Sequence, residues 1–209
     1  MSLALWFLPR QSSPFTKTAQ ELISETIPNI FLSPTQQIQE FPPHVTITSG
    51  ITLPDSQQTP QDWLDALDCS PYAAEKNEII LELQTLQTED PFFRKCNIAL
   101  TENSNLHTFA EKCRVAAGLK PREKGEYRPH FSLFYGDVAT KDVEAKLPLI
   151  EMKVGFAIGD LFACCGGALC LGGEMVLVDT SRPITAWCEA VVAKREVPFV
   201  MWRASKHLA

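Results

Sequence analysis

Two of the four histidines in this sequence sit in matching company. Pro43-His44-Val45-Thr46-Ile47-Thr48-Ser49-Gly50 aligns with Pro129-His130-Phe131-Ser132-Leu133-Phe134-Tyr135-Gly136. The Pro, His and Gly are identical, Thr46 and Ser132 are both hydroxyls, and the positions between them are apolar in both copies. At average usage of Pro and Gly, such a coincidence arises roughly once in 10⁴. Histidine exchanges a proton near neutral pH, and a hydroxyl can hold an anion. This set has the equipment for opening a cyclic phosphodiester. One imidazole takes a proton from the attacking water, the other gives a proton to the departing ribose oxygen, and the hydroxyls bind the non-bridging oxygens. A strained ester whose leaving group stays tethered needs no metal for this, so no metal or other cofactor is expected.

Each histidine must be carried on a strand for the set to work. In a strand, residues two apart share a face. His44 then points with Thr46 and His130 with Ser132, while Val45, Ile47, Phe131 and Leu133 point to the core. Two such strands brought together would make a four-cornered polar site on an apolar layer. The surrounding sequence alternates strand and helix signals. Leu3–Leu8, His44–Thr48, Ile79–Leu86, Lys95–Leu100, His130–Tyr135, Phe156–Cys165, Met175–Asp179 and Val191–Arg195 read as strands. Thr16–Ile27, stopped by Pro28, reads as a helix, as does a short segment from Pro60 capped by Thr59. Asn105–Ala117 has a clear apolar stripe and Gly118 at its stop position. A further helix is expected from Thr140 to Pro148, a turn at Thr88–Pro91, and a helical turn at Pro183–Trp187. No linker divides the chain, which argues for one α+β domain over 1–209.

At the stretches PPHVTITSGI, RPHFSLFYG and SLALWFLP the sequence resembles the 2H phosphoesterase superfamily, and within it the cyclic phosphodiesterases of fungi and plants. The resemblance implies a bilobal fold, with two antiparallel sheets facing across a central groove and helices outside, each lobe supplying one motif. It implies hydrolysis of nucleoside 2′,3′-cyclic phosphates to 2′-phosphates, and in some relatives opening of ADP-ribose 1″,2″-cyclic phosphate. It assigns His44 as the acid toward the 3′ oxygen and His130 as the base toward water. Thr46, Ser132 and Tyr135 become the phosphate-binding residues. Tyr135 lies five residues from His130, so strict alternation turns it to the core unless the strand bends at Gly136.

Composition narrows the partners. The net charge of −6 lacks the basic stripe of a protein that coats long nucleic acid. The expected ligand is a small cyclic-phosphate nucleotide, handled by a monomer. An RNA-end phosphodiesterase or 2′-5′ RNA ligase would favour a basic groove rim. A non-catalytic nucleotide-binding module is the alternative from another class. The short apolar opening, closed by Pro9 and Arg10, reads as a buried strand rather than a signal peptide or membrane span. Seven cysteines without a C-x-x-C pair suit buried thiols in a reducing compartment, not zinc. An intracellular, cytoplasmic location is expected, with Golgi association as in some fungal relatives the alternative. Arg122, Lys124 and Arg128 could form a loop that gates the groove. Trp6 and Phe41 could stack a base, or belong to the core. His107 and His207 read as surface residues, and Cys164–Gly173 as a tight turn between strands.

Overall fold

The computed structural model describes residues 1–31, 38–53, 59–72, 78–165, 167–206 and 208. Among these the strands are β1 (Leu3–Pro9), β2 (Val45–Ile51), β3 (Ile79–Gln87), β4 (Cys96–Leu100), β5 (His130–Phe134), β6 (Ala168–Leu171), β7 (Gly173–Asp179), β8 (Val191–Glu196) and β9 (Val200–Ala204). The helices are α1 (Pro14–Glu21), α2 (Pro28–Phe31), α3 (Pro60–Asp65), α4 (Ser104–Ala116), α5 (Thr140–Glu144) and α6 (Leu147–Cys165). The class is α+β, as the sequence predicts.

β1 is buried along its whole length, which is why it reads as an unbroken apolar run rather than an alternation. It pairs antiparallel with β2 on one side and β7 on the other, and β8 closes that flank. On the other flank β4 joins β3 and β5, β9 runs parallel to β3, and β6 forms the edge. The strands make one mixed sheet in the order β6-β9-β3-β4-β5-β2-β1-β7-β8. Its join is thin in the middle, because β2 and β5 share only the pair Val45↔Phe131. That pair is where the two histidine motifs meet.

The core lies behind the motifs. Val45, Ile47, Phe131 and Leu133 are all fully buried, so the apolar half of each alternation faces inward as its spacing requires. α4 packs over β2 and β3, on either side of the join. Its Phe109 stacks on Phe7 and meets Tyr72 and Phe199 edge-on. On the other flank Phe15 of α1 touches both Phe131 and Trp202. These contacts clamp the two halves around the single shared pair.

Several local expectations change. Phe156–Cys165 is helical, part of α6. Ile150, Val154 and Ile158 recur every fourth residue and are buried, a helical spacing masked because exposed positions such as Met152 and Phe156 are apolar too. Pro148 opens α6 instead of ending the preceding helix, since the first turn has no N–H to lose. Pro28 likewise begins α2, after α1 ends in a wide π turn over Leu22–Thr26. β6 and β9 were not expected; both are short and sit in the irregular tail of the sequence.

The two matched glycines of the repeat serve different ends. Gly50 has φ +73°, a left-handed conformation that side chains disfavour. Gly136 has ordinary backbone angles, but a β-carbon there would lie 2.7 Å from the Phe134 ring. Among the described residues no helix is long and apolar enough to cross a membrane.

Candidate active site

The antiparallel register at Val45↔Phe131 decides the layout of the site. One step either way sets His44 across from Ser132 and Thr46 across from His130, all four on one face. Directly opposed strand residues have β-carbons about 5 Å apart and diagonal ones about 7–8 Å. The two imidazoles therefore occupy diagonal corners, and the hydroxyls occupy the other two. Beyond this pair β5 leaves β2, and side chains replace its backbone. Tyr127 donates its hydroxyl to the Thr46 carbonyl at 3.0 Å, and Arg122 donates to the Ile47 carbonyl at 3.1 Å.

His44 is 4% exposed. Its Nδ1 lies 2.7 Å from the Pro42 carbonyl, so Nδ1 carries the hydrogen and Nε2 turns to the site. The ring lies flat on Trp6, with centroids 3.9 Å apart and planes 19° from parallel. Phe41 meets the same ring edge-on. Burial pushes the imidazole down to about 4; the Pro42 carbonyl pulls upward and nearby His130 adds a further downward push. Trp6 and Phe41 are thus core residues that hold the His44 ring, not a free base-stacking surface.

His130 is also pushed down to about 4, first by burial and then by the Arg94 guanidinium, with the Arg128 carbonyl acting in the opposite sense. Its Nδ1 lies 3.1 Å from Arg94 Nη2 and 3.1 Å from the Arg128 carbonyl. Arg94 also donates from Nη2 to that carbonyl at 2.7 Å and pairs with Glu89 at 3.0 Å. Glu89 binds Arg128 in turn at 2.8 Å. The Arg94 backbone is fixed by buried Asn97, whose amide donates to its carbonyl at 2.9 Å.

Of the two hydroxyl corners, Thr46 is half-buried and Ser132 is closed in. Ser132 is buried, with its hydroxyl 3.5 Å from the Phe93 carbonyl. Tyr135 reaches the site because β5 ends at Phe134, which frees it from strand alternation. Its hydroxyl stands 3.5 Å from His44 Nε2, and its ring stacks on Phe41 at 3.9 Å. Burial raises the phenol well above its ordinary range, so it remains a proton donor in hydrogen bonds.

All five residues expected from sequence, His44, His130, Thr46, Ser132 and Tyr135, belong to this one locality. Sequence reasoning missed Arg94, Glu89, Phe93 and Trp187. The first three lie in the β3–β4 connection, where they bear no spacing relation to either motif. Phe93 is 49% exposed, meets Tyr135 edge-on and stacks on Trp187 at 5.9 Å. Trp187 packs against Trp6. An aromatic wall therefore runs from beneath His44 to an open face at Phe93.

The expected gating loop is better anchored than its composition suggests. Arg122 pairs with Glu111 at 2.9 Å and lies over the Tyr127 ring, so its charge is engaged within the fold. Arg128 is engaged by Glu89; Lys124 is exposed. A separate groove of about 780 Å³ beside α4 is lined by His107, Glu111, Val115 and Arg122, and neither motif histidine borders it. His107 is half-buried against Tyr127, and His207 lies outside the described residues.

A family model described as cyclic phosphodiesterase-like protein matches residues 1–197. A protein of Phaeosphaeria nodorum named 2′,3′-cyclic-nucleotide 3′-phosphodiesterase is 32% identical over 203 residues, which is 93% of this chain and 98% of the relative. Proteins of the same name from Neurospora crassa and Eremothecium gossypii are 28% and 26% identical, covering 92% and 76% of this chain and 97% and 76% of their own lengths. With its two motifs joined at the pair Val45↔Phe131 and residues 1–197 matched by the family model, this chain belongs to the cyclic phosphodiesterase-like family.

Proposed function

We propose that the protein hydrolyses nucleoside 2′,3′-cyclic phosphates to nucleoside 2′-phosphates, with ADP-ribose 1″,2″-cyclic phosphate as a further substrate. The observation that supports this is the shared register at Val45↔Phe131, which by strand alternation turns both motif histidines and both hydroxyls to one face. The names of the relatives fix the substrate class.

The phosphodiester anion sits between the four corners. Thr46, Ser132 and Tyr135 donate hydrogen bonds to its non-bridging oxygens and hold them as charge builds at phosphorus. With its ring hydrogen on Nδ1 toward the Arg128 carbonyl, His130 takes a proton from water at Nε2 as the water oxygen bonds to phosphorus. The bond from phosphorus to O3′ breaks, and His44 Nε2 supplies the proton that O3′ needs. Solvent then returns a proton from His130 to His44. The Nδ1–H to Pro42 bond keeps Nε2 of His44 aimed at the ester throughout. Phe93 offers the open aromatic face on which the base stacks. The halves of the sheet on either side of the thin join act as the two lobes of the superfamily fold, with the substrate groove along the join. One chain supplies every group, so a monomer suffices.

The test is incubation with 2′,3′-cyclic AMP in the presence and absence of EDTA, followed by identification of the product. Adenosine 2′-phosphate formed at equal rates in both supports the reading. A 3′-phosphate product would reverse the assignment of the leaving group, and a chelator-sensitive rate would replace the two-histidine mechanism with a metal-dependent one.

A further inference from the structure

Both histidines are buried, but their immediate neighbours differ. His44 lies against the face of Trp6, whose negative quadrupole favours a cation, and its Nδ1–H has an undivided acceptor in the Pro42 carbonyl. His130 lies 3.1 Å from a guanidinium. The carbonyl beside its Nδ1, that of Arg128, already takes a shorter bond of 2.7 Å from that same guanidinium. Arginine has no acceptor to offer and does not give up its charge. A positive His130 would therefore face a permanent cation across a hydrogen-bond length, whereas a positive His44 would not.

Arg94 cannot swing away without losing what holds it. Its Nη1 is bound by both oxygens of Glu89, at 3.2 and 3.0 Å, and its backbone carbonyl by Asn97. The charged groups around His130 are thus Arg94 and Glu89 from the β3–β4 connection, Arg128 on its own approach, and His44 from the segment leading into β2. Glu89 is shared between two arginines, which divides its influence.

We propose that Arg94, clamped by Glu89, is a positioning residue that disfavours a positive charge on His130 before water attacks, so that the proton drawn in by an anionic substrate goes to His44 and His130 gains its own only as water adds. The site contains two chemically identical rings in near-symmetric motifs, and this guanidinium makes them unequal: His130 stays bare to act as base, and His44 is loaded to act as acid. The assignment of roles rests on the phosphodiesterase reading above, but the placement of the proton does not.

The experiment is a titration of ¹⁵N-histidine-labelled full-length protein followed by NMR, with and without saturating inorganic phosphate as the anion. In the unsubstituted protein, phosphate should raise the titration of His44 by more than that of His130. In Arg94→Gln, without phosphate, His130 should titrate about one unit or more higher, with His44 nearly unmoved. With phosphate, the two rings should then share the proton. Arg94→Lys, which keeps the charge, should preserve the original order. If Arg94→Gln does not fold, Arg94→Met, which removes the charge, keeps an apolar stem and leaves Glu89 paired with Arg128, should shift His130 the same way. An unmoved His130 in the charge-removing variant that folds would overturn the proposal, as would phosphate loading His130 first in the unsubstituted protein. Because the titration requires no turnover, a shifted His130 in a protein inert toward 2′,3′-cyclic AMP would uphold this proposal while sinking the phosphodiesterase reading.

Discussion

Acidification should weaken this protein at two identifiable residues. His44 and His130 are held from an ordinary 6.5 down to about 4 in the folded chain, chiefly by burial. On unfolding, both rings return to water and regain their ordinary affinity for protons. Between pH 6.5 and 4 the unfolded chain therefore binds more protons than the folded one, and stability falls as pH falls through that window. Above it neither state binds a proton at these sites, and the histidines contribute no pH dependence. A depression of this size makes each ring cost about 2 kcal/mol between pH 7.5 and pH 5. Because each ring disfavours charge on the other, the pair together reaches about 3–4 kcal/mol. That is a large share of the stability of a typical domain. The assay is urea unfolding at pH 7.5 and pH 5 for the unsubstituted protein and for His44→Gln and His130→Gln. Comparison with the variants cancels the carboxylates and the other histidines. Each variant should lose about 2 kcal/mol less over the same interval. Parallel losses in all three proteins would show that the rings are not held uncharged by the fold, and the burial argument for both would fail.

Other perturbations have equally direct outcomes. Phe93→Ala should raise KM for 2′,3′-cyclic AMP several-fold with kcat changed less than two-fold and little change in Tm, since the ring is half exposed. Tyr135→Phe removes one donor to the phosphate while keeping the stack on Phe41, and should lower kcat/KM about ten-fold without loss of fold by circular dichroism. Gly173→Ala would drive a β-carbon into the Leu8 carbonyl at the end of the β1–β7 ladder, and should cost more than about 2 kcal/mol in urea unfolding.

The four-cornered site was legible because it rests on a local rule. A His and a hydroxyl two residues apart on a strand share a face whatever the rest of the chain does. Tyr135 was legible only through the resemblance, since strand alternation alone turned it to the core; it depends on where β5 stops. That the two motif strands pair with each other, at Val45↔Phe131, depends on contacts between segments far apart in sequence, which no local pattern encodes. Arg94 was illegible for the same reason: its role comes from a turn between β3 and β4 folding back on β5. Trp6 was read as either a base platform or core, and its place under His44 follows from the pairing of β1 with β2. α6 was misread because its exposed face also carries large apolar residues, Met152 and Phe156, which blurs the period that distinguishes helix from strand.

The central claim is that His44 and His130 act together on one phosphorus atom. Its most direct test is the turnover of 2′,3′-cyclic AMP by His44→Ala, His130→Ala and the double variant, each checked for fold by circular dichroism. Each single variant should fall by about 10²-fold or more, and the double should fall little further than the worse single, because groups that serve one transition state are not additive. A folded single variant that keeps near-normal turnover would contradict the account.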